Sequence, residues 1–302
     1  MIGIGTIIRL NREELGYSQE KLAYGICATS SLSKIENDEQ VPSRNTFEAL
    51  MQRMGLSPGV YPSFLTDADK TSYELKHNFN ELYGESKYND ASKILDKLEA
   101  LPGLEKEHLK FISMARTLVG LQTGSIDPAT AADKLEKDIG SFIKNFSIPK
   151  IERSVLTKTE INVLNSYAIA KHRSGDVTSA IEIYYGLISY IEKKIYDRRG
   201  FTVLYTKILY NLSKYVGMEK DDEEAVRLCD IGINSCIRYS VMEYLHLLLY
   251  NKGYGLINLG RTDEAHDCIR QSYYIQKALG KSYAKGLEIT VTFAEKHGIK
   301  LI

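Results

Sequence analysis

The sequence predicts an all-α protein in two parts, a cluster of short helices followed by an array of long helix pairs. Three observations carry that prediction. Apolar residues recur at helical spacing, as in the stripe Ile4, Ile8 and Leu15. Only six prolines occur in 302 residues, and three of them, Pro42, Pro58 and Pro62, fall close together near the N-terminus. Farther along, a block of helix, polar turn and helix returns at intervals of 45 and 40 residues.

The first part ends at "GLSPGVYPS" (55–63), where glycine and proline punctuate the helical pattern most strongly. Before it, about four short helices are expected. The first ends at Gly16, and Ser18 stands where an N-cap belongs before "QEKLAYG". Leu22, Ala23 and Ile26 face inward, Gly25 permits a tight bend, and "ATSSLSKIEN" follows with Leu32 and Ile35 inward. Thr29, Ser30, Ser33, Lys34 and Asn37 are left on the outer side. That outer set suits a helix in a DNA major groove, where small hydroxyls reach base edges or phosphates and lysine supplies charge.

The second part repeats. "LNSYAIAKHRSGDVTSAIEIYYGLI" from Leu164, "YNLSKYVGMEKDDEEAVRLCDIGI" from Tyr210 and "YNKGYGLINLGRTDEAHDCIRQSY" from Tyr250 each place an alanine, Ala180, Ala225 or Ala265, in the first turn of the second helix. Ala91 takes the same role in a shorter version, and the stretch around Gly124–Asp127 fits more loosely. A small residue there allows close approach, and Ile183, Leu228 and Ile269 fill the seam. Five pairs are expected, about 71–99, 105–145, 157–194, 201–238 and 241–278, with a last helix at about 282–297 over the open end. "MEKDDEE" reads as a solvated turn leading into an acidic first helical turn.

Composition narrows the function. The chain is 43% apolar and 26% charged with zero net charge, which excludes extensive disorder and any whole-protein attraction to a polyanion. No apolar run approaches the roughly 20 residues of a membrane span. Cys27, Cys229, Cys236 and Cys268 have no zinc-like spacing, so no metal site and no cofactor are expected. Cys27 is expected to pack inward. His172, His246 and His266 are expected on the repeat surface. The phosphate-binding motif G-x-x-x-x-G-K-[ST] does not occur, and "MIGIGTII" lacks the preceding strand of a dinucleotide fingerprint. Nothing reads as an enzyme. The excess of 21 tyrosines over 8 phenylalanines fits helix packing and a groove for a polymeric guest.

The words "SQEKLA…SSLSKIEN…VPS" resemble a helix-turn-helix domain of the Xre/phage-repressor type over residues 4–54. That resemblance implies that Gln19 opens the second helix against a phosphate. It places Thr29 and Ser30 at the base-reading start of the recognition helix, with Ser33 and Lys34 one turn on. Ser43, Arg44 and Asn45 match a loop that anchors the DNA backbone, and Arg12 and Glu36 match a buried structural salt bridge. The second part resembles tetratricopeptide repeats, which implies a right-handed superhelix. One feature opposes tight binding by a single copy: residues 1–65 carry six bases against seven acids. A homodimer on two half-sites answers it.

The join "YGICATSSLSKIE" is one residue shorter than in common phage repressors, a form that resembles the PlcR and Rgg type of the RRNPP family. These are Gram-positive quorum-sensing transcription regulators whose C-terminal repeats bind short re-imported signalling peptides in a groove. The residues themselves support a ligand face. Asn211 and Asn251 lie 14 residues before their repeat alanines, and Asn165 lies 15 before its own. An asparagine there brackets one peptide unit with a donor and an acceptor. Lys207 and Lys214 share the face of Asn211 and offer charge to a ligand carboxylate. Tyr254 and Asn258 extend the face of Asn251, and Asn162 precedes Asn165 by one turn.

The expectation is therefore a cytoplasmic, dimeric transcription regulator. Residues 1–65 would bind an inverted-repeat DNA operator, and residues 66–302 would bind peptide and dimerise. The alternative is an interaction module or anti-activator whose repeats hold a partner protein and whose DNA binding is secondary.

Overall fold

The computed structural model describes residues 4–56, 67–195, 199–280 and 284–301, so most of the boundary stretch 55–63 lies outside the described residues. Within them the chain is helical throughout. It divides into two compact units, Met1–Gly186 with Glu192–Asp197, and Leu187–Ile191 with Arg198–Ile302.

The first unit opens with α1 (Ile4–Glu14), α2 (Gln19–Ala23), α3 (Thr29–Glu36) and α4 (Arg44–Arg53). Ile8, Leu22, Ile26, Leu32, Ile35, Phe47 and Leu50 close one apolar core, with Ile4, Leu15 and Cys27 at its edge. Ser18 caps α2 by accepting from the Lys21 amide at 3.1 Å, and Gly25 makes the bend at φ +72°. Gly5 has a role that the sequence pattern does not reveal. A Cβ there would lie 1.7 Å from the Ile35 carbonyl oxygen, so α1 approaches α3 as closely as backbone permits. Asp38 then seals the α1 N-terminus, accepting from the Gly5 amide at 2.8 Å and the Thr6 hydroxyl at 3.0 Å.

The same unit continues with α5 (Asp67–Gly84), α6 (Tyr88–Glu99), α7 (Lys106–Thr123), α8 (Pro128–Phe142), α9 (Lys158–Arg173) and the start of α10 (Val177–Lys194). Asp127 caps α8 through the Ala129 and Thr130 amides. A Thr157–Glu160 capping box opens α9. The repeat alanines are the seam: Ala91 and Ala180 are both fully buried, and the looser second pair uses Ala131 in the same way.

The second unit holds α11 (Thr202–Met218), α12 (Asp222–Tyr239), α13 (Leu245–Asn258), α14 (Thr262–Leu279) and α15 (Ala284–Lys296). Ala225 and Ala265 again let the second helix of each pair close on the first, with Leu228 and Ile269 filling the seam. Phe293, Ala294 and Ile299 pack α15 and its tail onto Ile269 of α14. The acidic turn is built as its charge suggests, with Asp221 capping α12 at the Glu224 amide. Tyr167, Tyr184 and Tyr190 are fully buried, so the tyrosine excess partly serves helix packing.

Candidate DNA-reading surface and ligand face

α3 is amphipathic in the strict sense. Leu32 and Ile35 are 0% and 1% exposed, while Thr29, Ser30, Lys34 and Asn37 stand on the outside and Ser33 is half-buried. The helix begins at Ala28 without a side-chain cap, so its first amides remain for solvent or an anion. Behind it, Arg12 grips the buried Glu36 with Nε to Oε1 at 2.6 Å and Nη2 to Oε2 at 2.9 Å. That hydrogen bond, aided by Glu36's charge and set against burial, raises the Arg12 pKa above its ordinary value. Gln19 joins the pair, its Nε2 donating to Glu36 Oε2 at 2.7 Å. In this structure the Gln19 amide therefore braces α2 against α3, a role different from the expected phosphate contact.

The loop expected to anchor the DNA backbone is divided between roles. Ser43 caps α4, accepting from the Thr46 amide at 3.2 Å. Arg44 donates to Glu48 at 2.6 Å and lies over the Tyr73 ring. Asn45 turns into the protein, its Nδ2 lying 3.0 Å from His108 Nε2, which also contacts the Ser72 hydroxyl at 2.6 Å.

Below α4 lies a buried ion network that the sequence reading missed. Arg53 Nη2 meets both oxygens of Glu160 at 2.7 and 2.9 Å. Its Nη1 donates to the carbonyls of Leu22 and Tyr24 at the end of α2. Lys110 donates to Glu160 and Glu107, both at 2.6 Å. Burial works to raise the Glu160 pKa, but Arg53 and Lys110 together hold it below its ordinary value. Glu160 also closes the capping box of α9, and its arginine comes from 107 residues away, beyond any local pattern.

The repeat residues divide as well. On α9 of the first unit, Asn165 is 1% exposed and so is not presented to a guest. Asn162 donates to the Lys158 carbonyl of its own helix at 3.1 Å. On α11 of the second unit, Lys207 and Asn211 are half-buried one turn apart, and Lys214 is exposed. Burial pushes the Lys207 ammonium down to about 8. On α13, Asn251 donates to the Tyr210 carbonyl at 3.2 Å and the Ser213 hydroxyl at 3.1 Å, binding α13 to α11. Asn258 donates to Asp222 at 3.0 Å. Tyr254 remains 47% exposed, its ring 5.7 Å from that of Phe293. One histidine expectation is corrected: His246 is buried, and desolvation lowers its pKa to about 4. Cys27 is half-buried, and burial pushes its thiol up.

Among the described residues, no group of three or more His, Cys, Asp or Glu side chains is placed to hold a metal. No helix among them is long and apolar enough to cross a membrane.

Comparison with known proteins bears on both halves. Residues 8–61 match a helix-turn-helix family model, and residues 75–290 match the model of the RNPP family C-terminal domain. The fold is similar to that of Bacillus thuringiensis PlcR, solved in complex with the peptide PapR7 and DNA. The TM-score is 0.62 at 16% identity over 99% of this chain and 100% of that one. It is also similar to ComR from S. thermophilus, solved with DNA and its signalling peptide ComS, at a TM-score of 0.59 and 14% identity over 98% and 100% of the two chains. The apo form of ComR from Streptococcus vestibularis gives a TM-score of 0.54 at 16% identity, covering 98% of each chain. Among curated proteins, none matches the sequence significantly.

Proposed function

For a chain that belongs to the RNPP family and carries its own helix-turn-helix domain, we propose the role of a cytoplasmic transcription regulator switched by a short signalling peptide. In this reading residues 1–65 read an inverted-repeat operator, and residues 66–302 bind the peptide and hold two copies together. The observation that carries the DNA half is the outer face of α3. Thr29, Ser30 and Lys34 stand exposed on a helix whose inner face is locked by the core and by the Arg12–Glu36–Gln19 brace. Such a helix enters a major groove without rearranging its support.

Dimerisation follows from charge. Arg12, Arg44 and Arg53 are each paired with a carboxylate, so one copy neutralises few phosphates, and affinity for DNA rests heavily on that term. Two copies on two half-sites double the contacts at the cost of one association. The peptide half rests on Lys207 and Asn211, with Tyr254 as a second, aromatic contact on α13. A partly desolvated ammonium held near pKa 8 gains when a ligand carboxylate approaches it. Peptide binding moves the DNA-reading heads only to the extent that the peptide prefers one arrangement of the protein over another. The two solved relatives with peptide and DNA bound support both halves by analogy of fold.

The acid excess of the first 65 residues favours a second reading, in which the repeats hold a partner protein and DNA binding is secondary. A mobility-shift assay separates the two. It uses the intergenic DNA flanking the gene and synthetic peptides from any adjacent reading frame that carries a secretion signal. The regulator gives a retarded complex that weakens steeply with salt and changes with peptide. No complex at low salt, with or without peptide, favours the interaction module.

A further inference from the structure

A cavity of about 340 Å³ opens in the first unit between α2, the C-terminal end of α8 and the short 3-10 helix (Ile148–Arg153) that precedes α9. Four cations line it, Lys21, Arg53, Lys144 and Arg153, against one carboxylate, Glu20. Several arginines are matched to an acid: Arg12 to Glu36, Arg44 to Glu48, Arg116 to Asp96 and Glu99, Arg227 to Glu224, and Arg261 to Glu264. Arg153 forms no ion pair among the described residues, and Lys144 reaches Glu20 only at 3.8 Å. The recess thus keeps an excess of positive charge where packing does not require one.

The arginine in the cavity wall is committed to the fold. Arg53 is 3% exposed, and its two terminal nitrogens are fully engaged by Glu160 and the α2 carbonyls. Its Nε is buried and has no hydrogen-bond partner. An oxyanion in the cavity is therefore met by Lys21, Lys144 and Arg153, the last two at its exposed rim. Guanidinium and ammonium groups converging on one recess suit the three oxygens and high charge of a phosphate. The volume lies at the lower end of those that hold small molecules, enough for a phosphate group with a small organic body.

We propose that this cavity binds the phosphate group of a small phosphorylated metabolite, at a site separate from the repeat faces assigned to peptide. The occupant touches α2, which supports the recognition helix, together with the α8 end and the 3-10 helix, so it ties the reading head to the first repeats. A metabolic signal enters there without competing for the peptide.

The test titrates the full chain with inorganic phosphate and with chloride at matched ionic strength, following 31P line width and the thermal midpoint. Phosphate stabilises many proteins by exclusion from their surface, so a variant provides the discrimination. The double variant Lys144→Gln with Arg153→Gln changes two exposed rim residues and leaves the buried Arg53 network whole. The expected result is saturable 31P broadening in the wild type, at least tenfold weaker in the double variant, with both proteins melting alike in chloride. Broadening that does not saturate, or that is equal in the two proteins, overturns the proposal. Displacement of bound phosphate by duplex DNA also overturns it, because the recess would then belong to the DNA interface.

Discussion

On α3, Thr29, Ser30 and Lys34 stand outside while Leu32 and Ile35 are fully buried. On α13, Asn251 turns its amide inward and binds the carbonyl of Tyr210 and the hydroxyl of Ser213. Both sets are polar residues on amphipathic helices, and both were candidates for ligand contact on sequence grounds. The difference lies in what surrounds them. α3 packs by one face and leaves the other bare, so its polar residues have nowhere to turn but outward. A repeat helix has neighbours on several sides, and a short polar side chain finds a backbone carbonyl within reach. Exposure is thus built into the reading head, whereas in the repeats it has to be established residue by residue.

The comparison breaks most readily at the support beneath the head. Glu160→Gln strands Arg53 in the interior and leaves Lys110 only Glu107, and the expected loss is about 3–5 kcal/mol in urea unfolding. A loss below about 1 kcal/mol would mean that the network is looser than its distances imply. Because the Glu160 pKa lies below its ordinary value in the folded state, this stability is present above that ordinary value, near 4.5, and is lost as pH falls through the lower folded value. Acid unfolding of the wild type should therefore be steeper than that of the Gln variant.

Next in size is Gly5→Ala. A methyl group 1.7 Å from the Ile35 carbonyl forces α1 and α3 apart, and about 3 kcal/mol of stability is expected to go. Unfolding followed by circular dichroism checks it. Lys207 sharpens the other side of the comparison. If its ammonium meets a ligand carboxylate, affinity for an anionic peptide falls roughly tenfold between pH 7 and pH 9 as the group near pKa 8 loses its proton. The Lys207→Gln variant should show a flat profile over that range, measured by fluorescence anisotropy. The smallest effect belongs to Asn251→Ala, about 1 kcal/mol of stability from two interhelical hydrogen bonds. A loss of peptide affinity with stability intact would return Asn251 to the ligand face.

Much of this was legible in the sequence because it is local. The stripe Ile4, Ile8 and Leu15, the cap at Ser18 and the repeat alanines at Ala91, Ala180, Ala225 and Ala265 each act within one turn or one helix pair. Gly5 was visible as a residue but not as a contact, because its partner carbonyl arrives from 30 residues away. The Arg53–Glu160 pair joins positions 107 residues apart, beyond any periodicity. Asn45 and Gln19 were placed at the DNA by the resemblance of the helix-turn-helix words. Yet His108 and Glu36 are their partners in the fold, and only tertiary packing decides which acceptor an amide finds. His246 failed for the same reason: a lone histidine on a repeat helix gives no sign of which neighbour covers it.

The central claim is that base reading and peptide capture occupy separate surfaces of one chain. The direct measurement compares Thr29→Ala/Ser30→Ala with the wild type in two titrations, one with labelled flanking DNA and one with labelled peptide. Specific DNA affinity is predicted to fall by about 1–3 kcal/mol, as expected for lost base-edge contacts, while the peptide dissociation constant stays unchanged. Equal loss of both, or undiminished DNA binding, would contradict the account.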